Sequence, residues 1–194
     1  MTSRGMLGGM RSPALVAFPV LSLLACACEV SVYSNVASPP PHVRDSPPPS
    51  PLDGWSIEGH ARNAYAAEVD GDVVREGHPT IRFHPTQETG GAYATFMTTL
   101  DARPLRGRQA HAVVYVRTQG VTARGDAWLR VQGADSPADG PGLATSITRL
   151  ASSSEFTRYE LVVDVPVDAA TVQLGLGLGG PGMLWMDGVT VEAR

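Results

Sequence analysis

From Leu52 to the C-terminus, apolar residues recur at every second position rather than every third or fourth, and this period limits the chain to strands. The alternation runs through Ile81–His84, Ala110–Val116, Trp128–Gln132, Tyr159–Val165, Val172–Leu178 and Trp185–Val191. Turn-forming residues bound each run: Asp70-Gly71-Asp72, Glu88-Thr89-Gly90-Gly91, Arg103 to Gly107, Gly133 to Gly142, Pro166 to Ala169, and Gly179-Gly180-Pro181-Gly182. Leu143 to Ile147 alternates as well and predicts a further strand, whereas Ser152 to Ser154 reads as loop. Many short strands, glycine-rich turns, no amphipathic helix and no repeat predict an all-β sandwich over residues 52–194.

The chain has 194 residues, enough for one domain with accessories, and 43% of them are apolar against 18% charged, so it can bury a core. A net charge of -4 with no basic run removes nucleic acid as a partner. All 15 basic residues are arginine, which excludes a Schiff-base lysine and a P-loop lysine.

The N-terminus reads as an export signal. Arg4 and Arg11 precede an uncharged apolar stretch from Ala14 to Ala25, shorter than the ~20 residues a membrane span needs. Leu23-Leu24-Ala25-Cys26 resembles the bacterial lipobox, so residues 1–25 are expected to leave as a lipoprotein signal peptide and Cys26 to be acylated. The alternative is an ordinary soluble signal that leaves Cys28 or both thiols in the mature chain. No cysteine follows Cys28, so no disulfide staples the domain and no thiolate serves catalysis or zinc there. Residues 26–51 then form a lipid-anchored, proline-rich linker. Pro39, Pro40, Pro41, Pro47, Pro48, Pro49 and Pro51 favour extended polyproline II, at about 3.1 Å per residue. Over residues 39–51 that gives a spacer of about 40 Å, or alternatively a ligand for a proline-reading domain.

The spacing of Gly91-Ala92-Tyr93-Ala94-Thr95-Phe96-Met97, Arg106-Gly107-Arg108, Tyr115-Val116-Arg117-Thr118 and Trp128-Leu129-Arg130-Val131-Gln132-Gly133 is similar to a widespread bacterial β-sandwich. Tyr159 to Pro166, Asp168-Ala169, Gly175 to Leu178 and Trp185-Met186-Asp187-Gly188-Val189 match its C-terminal half. Over residues 54 to 192 the chain resembles the galactose-binding-like jelly rolls that include many carbohydrate-binding modules and occur as appendages to regulators and hydrolases or alone. It departs from that pattern at Ala144-Thr145, where an Asp-Asn pair is usual, and at Phe156, where a Trp is usual. The resemblance implies a structural calcium held by an aspartate of the final strand with oxygens near the first. Asp187 and Asp53 are the residues in those places, with Glu58 also in the first-strand neighbourhood. Parity in the last strand places Asp187 with Trp185, Val189 and Val191 on the core face. There it requires an arginine, backbone donors or a metal.

Gly175, Gly177 and Gly180 satisfy G-x-G-x-x-G but lack the following helix and acidic residue, so no nucleotide cofactor is expected; the glycines instead bare one face of a strand. Arg124-Gly125-Asp126 reads as a polar hairpin loop. The Asp70, Asp72 and Glu76 carboxylates read as turn chemistry. No G-x-S-x-G elbow and no close histidine pairing are present, so no catalytic residue is assigned. If residues 110–117 and 127–132 are neighbouring strands, one outer face carries His111, Tyr115, Arg117, Trp128, Arg130 and Gln132. Aromatic planes among forked donors suit a sugar, although the same composition marks protein interfaces or a covered face. The expectation is a non-catalytic lipoprotein of the bacterial cell envelope, anchored outside the cytoplasm, that binds carbohydrate or another envelope component. A protein-interaction or structural role and an enzyme assembled only in the fold are the alternatives.

Overall fold

The computed structural model describes residues 50–137, 140 and 142–194. The expected signal peptide 1–25, Cys26 and all but the end of the 26–51 linker lie outside the described residues. The chain forms β1 (Trp55–Glu58), β2 (Tyr65–Arg75), β3 (His78–Pro85), β4 (Tyr93–Asp101), β5 (Gln109–Gln119), β6 (Arg124–Gly133), β7 (Ala144–Arg149), β8 (Thr157–Asp164), β9 (Ala169–Gly179) and β10 (Met183–Ala193), with 3₁₀ turns at Arg62–Ala64 and Arg103–Leu105. They pair antiparallel into sheet I, ordered β1-β4-β9-β6-β7, and sheet II, ordered β2-β3-β10-β5-β8. The all-β jelly-roll sandwich expected from the alternation is what the chain adopts.

Period two determines which side chains meet between the sheets. Sheet I sends in Phe96, Leu129, Val131, Leu174, Leu176 and Leu178, and sheet II sends in Phe83, Val114, Val116, Leu161, Leu184 and Met186. Each stabilises the fold by about 1.5–3 kcal/mol through burial. At one end the aromatic rings bridge the sheets, with Trp55 stacked on Phe96 at 4.8 Å, Phe96 on Phe83 at 5.8 Å, and Tyr65 tilted against Phe83 at 5.3 Å.

Asp70-Gly71-Asp72 does not turn the chain. It sits inside β2, where the register with β3 slips between Asp70 and Val74. The hairpin reverses at Glu76-Gly77, both with positive φ (51° and 85°), as the primed turn that matches strand twist requires. Asp70 still performs turn chemistry, its Oδ1 accepting the N–H groups of Asp72 and Val73, while its Oδ2 accepts the Trp185 indole N–H at 2.8 Å. Arg124-Gly125-Asp126 likewise opens β6 rather than forming a loop.

Candidate functional site

The structure separates the six residues expected on one face. β5 pairs with β10 and β8 in sheet II, whereas β6 pairs with β7 and β9 in sheet I. His111, Tyr115 and Arg117 therefore lie on the outer face of sheet II, and Trp128, Arg130 and Gln132 on the outer face of sheet I. Parity holds for both of these strands; the expected adjacency fails because the chain crosses from sheet II to sheet I between β5 and β6.

Ion pairs cross much of the sheet II face, while His111 Nδ1 and Arg117 Nε are buried with no hydrogen-bond partner among the described residues. Arg82 donates to Glu68 at 2.6 Å and lies 3.7 Å from Asp70; His84 meets Glu68 at 2.9 Å, and Arg158 meets Glu160 at 2.9 Å. His111 lies 3.6 Å from Glu160. The Arg75 guanidinium covers the Tyr115 ring at 3.5 Å, and that of Arg117 lies 5.0 Å from the Trp185 ring. The indole donor and the nearby backbone N–H groups hold the Asp70 carboxyl below the usual carboxylate range, against a burial effect that raises it. Arg82 and His84 do the same for Glu68.

Asp187 belongs to this face, not to the core. Leu184 and Met186 point inward, which turns Trp185 and Asp187 outward opposite Arg117 and Tyr115. A bulge between Asp187 and Thr190, with Gly188 at φ 60°, then resets the parity so that Val189 and Val191 return to the core. The Asp187 Oδ2 accepts the Arg75 Nη1 at 3.1 Å. Asp53, beside β1 in the other sheet, accepts the Ser50 N–H at 2.8 Å. The two carboxylates do not converge, and among the described residues no three His, Cys, Asp or Glu side chains gather as a metal site. Of the partners an inward carboxylate could take, Asp187 has the arginine.

Sheet I presents a different surface. β9 alternates core leucines with Gln173, Gly175, Gly177 and Gly179 on the outer face. The bare backbone lets the outer side chains of β6 lie across it. A Cβ on Gly175 would overlap the Trp128 ring, and one on Gly177 would overlap Asp126 Oδ1. The indole is accordingly only 7% exposed, with the Arg130 guanidinium 4.7 Å from its centroid. Trp128 is a packed floor rather than the open stacking platform expected from parity.

Polar groups surround that floor. The Arg124 Nε donates to Asp126 Oδ2, and this pairing raises the guanidinium pKa further. The buried Oδ1 of Asp126, Nε of Arg130 and Oε1 of Gln173 have no hydrogen-bond partner among the described residues. Asp126 and Arg130 stand on either side of Trp128 along β6, about 13 Å apart at 3.3 Å per residue. Register places Gln173 beside Arg130 and Arg149 beside Asp126. A cleft of about 470 Å³ opens here, lined by Arg124, Asp126, Ile147, Thr148 and Arg149. Ile147 is 62% exposed at its rim, and Tyr93, 39% exposed, carries Arg124 at 4.4 Å over its ring. Sequence reasoning missed Tyr93, Arg124, Asp126, Arg149 and Gln173. The parity that Asp126 shares with Trp128 was the signal that marked it.

No family model matches the chain. It is 27% identical over 144 residues to the uncharacterized HTH-type transcriptional regulator YbfP of Bacillus subtilis, over 73% of this chain and 48% of that protein. The chain thus spans about half the length of this curated relative. Among solved structures, the enzymatically active domain of bacteriophage CBA120 tailspike protein 4 superposes with a TM-score of 0.58 at 18% identity, covering 74% of this chain and 20% of that one. The CBM22-1 and GH10 modules of Clostridium thermocellum xylanase 10B give 0.55 at 13% identity, covering 74% and 26%. A Family 16 Carbohydrate Binding Module-2 gives 0.52 at 13% identity, covering 73% and 92%. The fold is a jelly-roll β-sandwich of the kind seen in carbohydrate-binding modules. At these identities the likeness is one of fold, and function has to be argued from the site.

Proposed function

We propose that this domain is a non-catalytic carbohydrate-binding module that takes a glycan on the outer face of sheet I, across Asp126, Trp128, Arg130 and Gln173. The observation that carries this reading is the open cleft beside the indole, lined by Arg124, Asp126, Ile147, Thr148 and Arg149. Sugar hydroxyls, which both donate and accept, suit the carboxylate, guanidinium and threonine groups of that lining. Ile147 and Tyr93 add apolar surface beside them for sugar C–H groups. The structural likeness to carbohydrate-binding modules supports the same ligand class. The Leu23 to Cys26 sequence and the proline run support presentation on the outside of a bacterial cell through an acylated Cys26.

The test is a glycan array, followed by titration calorimetry of the wild type and of Asp126→Ala and Arg130→Ala on the best glycan. Binding is expected in the wild type and should weaken at least ~10-fold in each variant with folding unchanged. Identical affinity in both variants overturns the site. Binding to no glycan, with capture of an envelope protein instead, overturns the ligand class. Mass spectrometry of membrane fractions should find the mature chain starting at a lipid-bearing Cys26; a Cys26→Ser variant that stays in the membrane removes the anchor.

A further inference from the structure

Resting on the glycan reading of sheet I, we propose that the preferred glycan is anionic, carrying uronate carboxylates or sulfate esters that Arg149 and Arg130 receive. Among the described residues across the β6–β7 half of the face, three arginines, Arg124, Arg130 and Arg149, meet one carboxylate, that of Asp126, in a chain whose net charge is -4. Only Arg124 is paired with that carboxylate; Arg130 and Arg149 form no ion pair among the described residues. On the opposite face Arg75, Arg82 and Arg158 each lie against a carboxylate, and Arg117 lies by the Trp185 ring.

The positions suit one anionic unit held at two kinds of contact. Register sets Arg149 directly across from Asp126, on the wall of the cleft whose floor Asp126 forms. A ring hydroxyl meets the cleft lining while the acid group of the same or the next ring takes the exposed Arg149 fork, the planar geometry that guanidinium offers to carboxylate and sulfate alike. Arg130, about 13 Å further along β6 and partly exposed, stands where a second acid group of a repeating chain would fall. A neutral glycan would leave both guanidinium groups without an anion.

Affinity electrophoresis of the full chain tests this, in gels carrying polygalacturonate, a sulfated galactan, neutral galactan, neutral xylan or polyglutamate. Retardation is expected from one or both anionic glycans, and which of the two retards separates carboxylate from sulfate. Arg149→Gln should lower that affinity ~10-fold or more, and raising the salt should weaken wild-type binding. Equal or stronger retardation by a neutral glycan overturns the anionic preference and leaves the carbohydrate reading standing. Equal retardation by polyglutamate also overturns it, because the surface would then be recognising charge alone. Retardation by none of the polysaccharides overturns both readings. Arg149 is exposed on an edge strand, so its substitution should leave the melting temperature unchanged, and a binding loss then reports the site.

Discussion

The indole of Trp128 occupies the space that a side chain on Gly175 would fill: a Cβ there would overlap Cζ2 and Cε2 of the ring. The two residues face each other across β6 and β9, so one glycine sets how deep the candidate floor lies. Gly175→Ala should lift the ring, cost about 1–3 kcal/mol by overpacking and weaken glycan binding. Chemical denaturation with calorimetry checks both; unchanged affinity would mean that the floor carries no ligand.

Trp128→Ala should destabilise the domain by about 2–4 kcal/mol, because the ring is 7% exposed and its loss opens a hollow over the glycine ladder. A melting temperature within a degree or two of wild type would contradict the packed arrangement.

Asp126 should behave in the opposite sense. Its Oδ1 is buried without a donor, so Asp126→Ala should be neutral or stabilising by up to about 1 kcal/mol while binding is lost. A large loss of stability would show that the carboxylate serves the fold through Arg124.

At the β2–β3 hairpin, Glu76 holds φ 51°, a left-handed conformation that Asn accepts more readily. Glu76→Asn should raise stability by about 0.5–1 kcal/mol, read as a shift in the urea midpoint.

Acid should unfold the domain through sheet II. Asp70 and Glu68 have folded pKa values below their ordinary ones. Their contribution is therefore present above the unfolded carboxylate pKa, near 4, and is lost as pH falls through the lower folded values. Denaturant midpoints from pH 7 to pH 2.5 should fall below about pH 4, with a shallower fall in Asp70→Asn. Parallel curves for the two proteins would remove Asp70 from the account.

The sequence by itself determined the architecture and the parity of the unbulged strands, because alternation is a local property: Leu174, Leu176 and Leu178 had to face a core, and the glycines between them had to bare the other side. Tertiary structure decided everything that depended on which strands became neighbours. His111, Tyr115 and Arg117 were separated from Trp128, Arg130 and Gln132 because β5 and β6 entered different sheets, a long-range choice that period two does not encode. Asp187 was misplaced for a related reason: a bulge at Gly188 inverts parity within one strand, so counting from Val189 and Val191 put an outward carboxylate inside. The pairing of Arg75 with Asp187 across 112 positions, and the unpaired Asp126 oxygen beside Trp128, exist only once the sheets are assembled. A side chain's partners are set by packing, and packing brings together residues that the sequence keeps far apart.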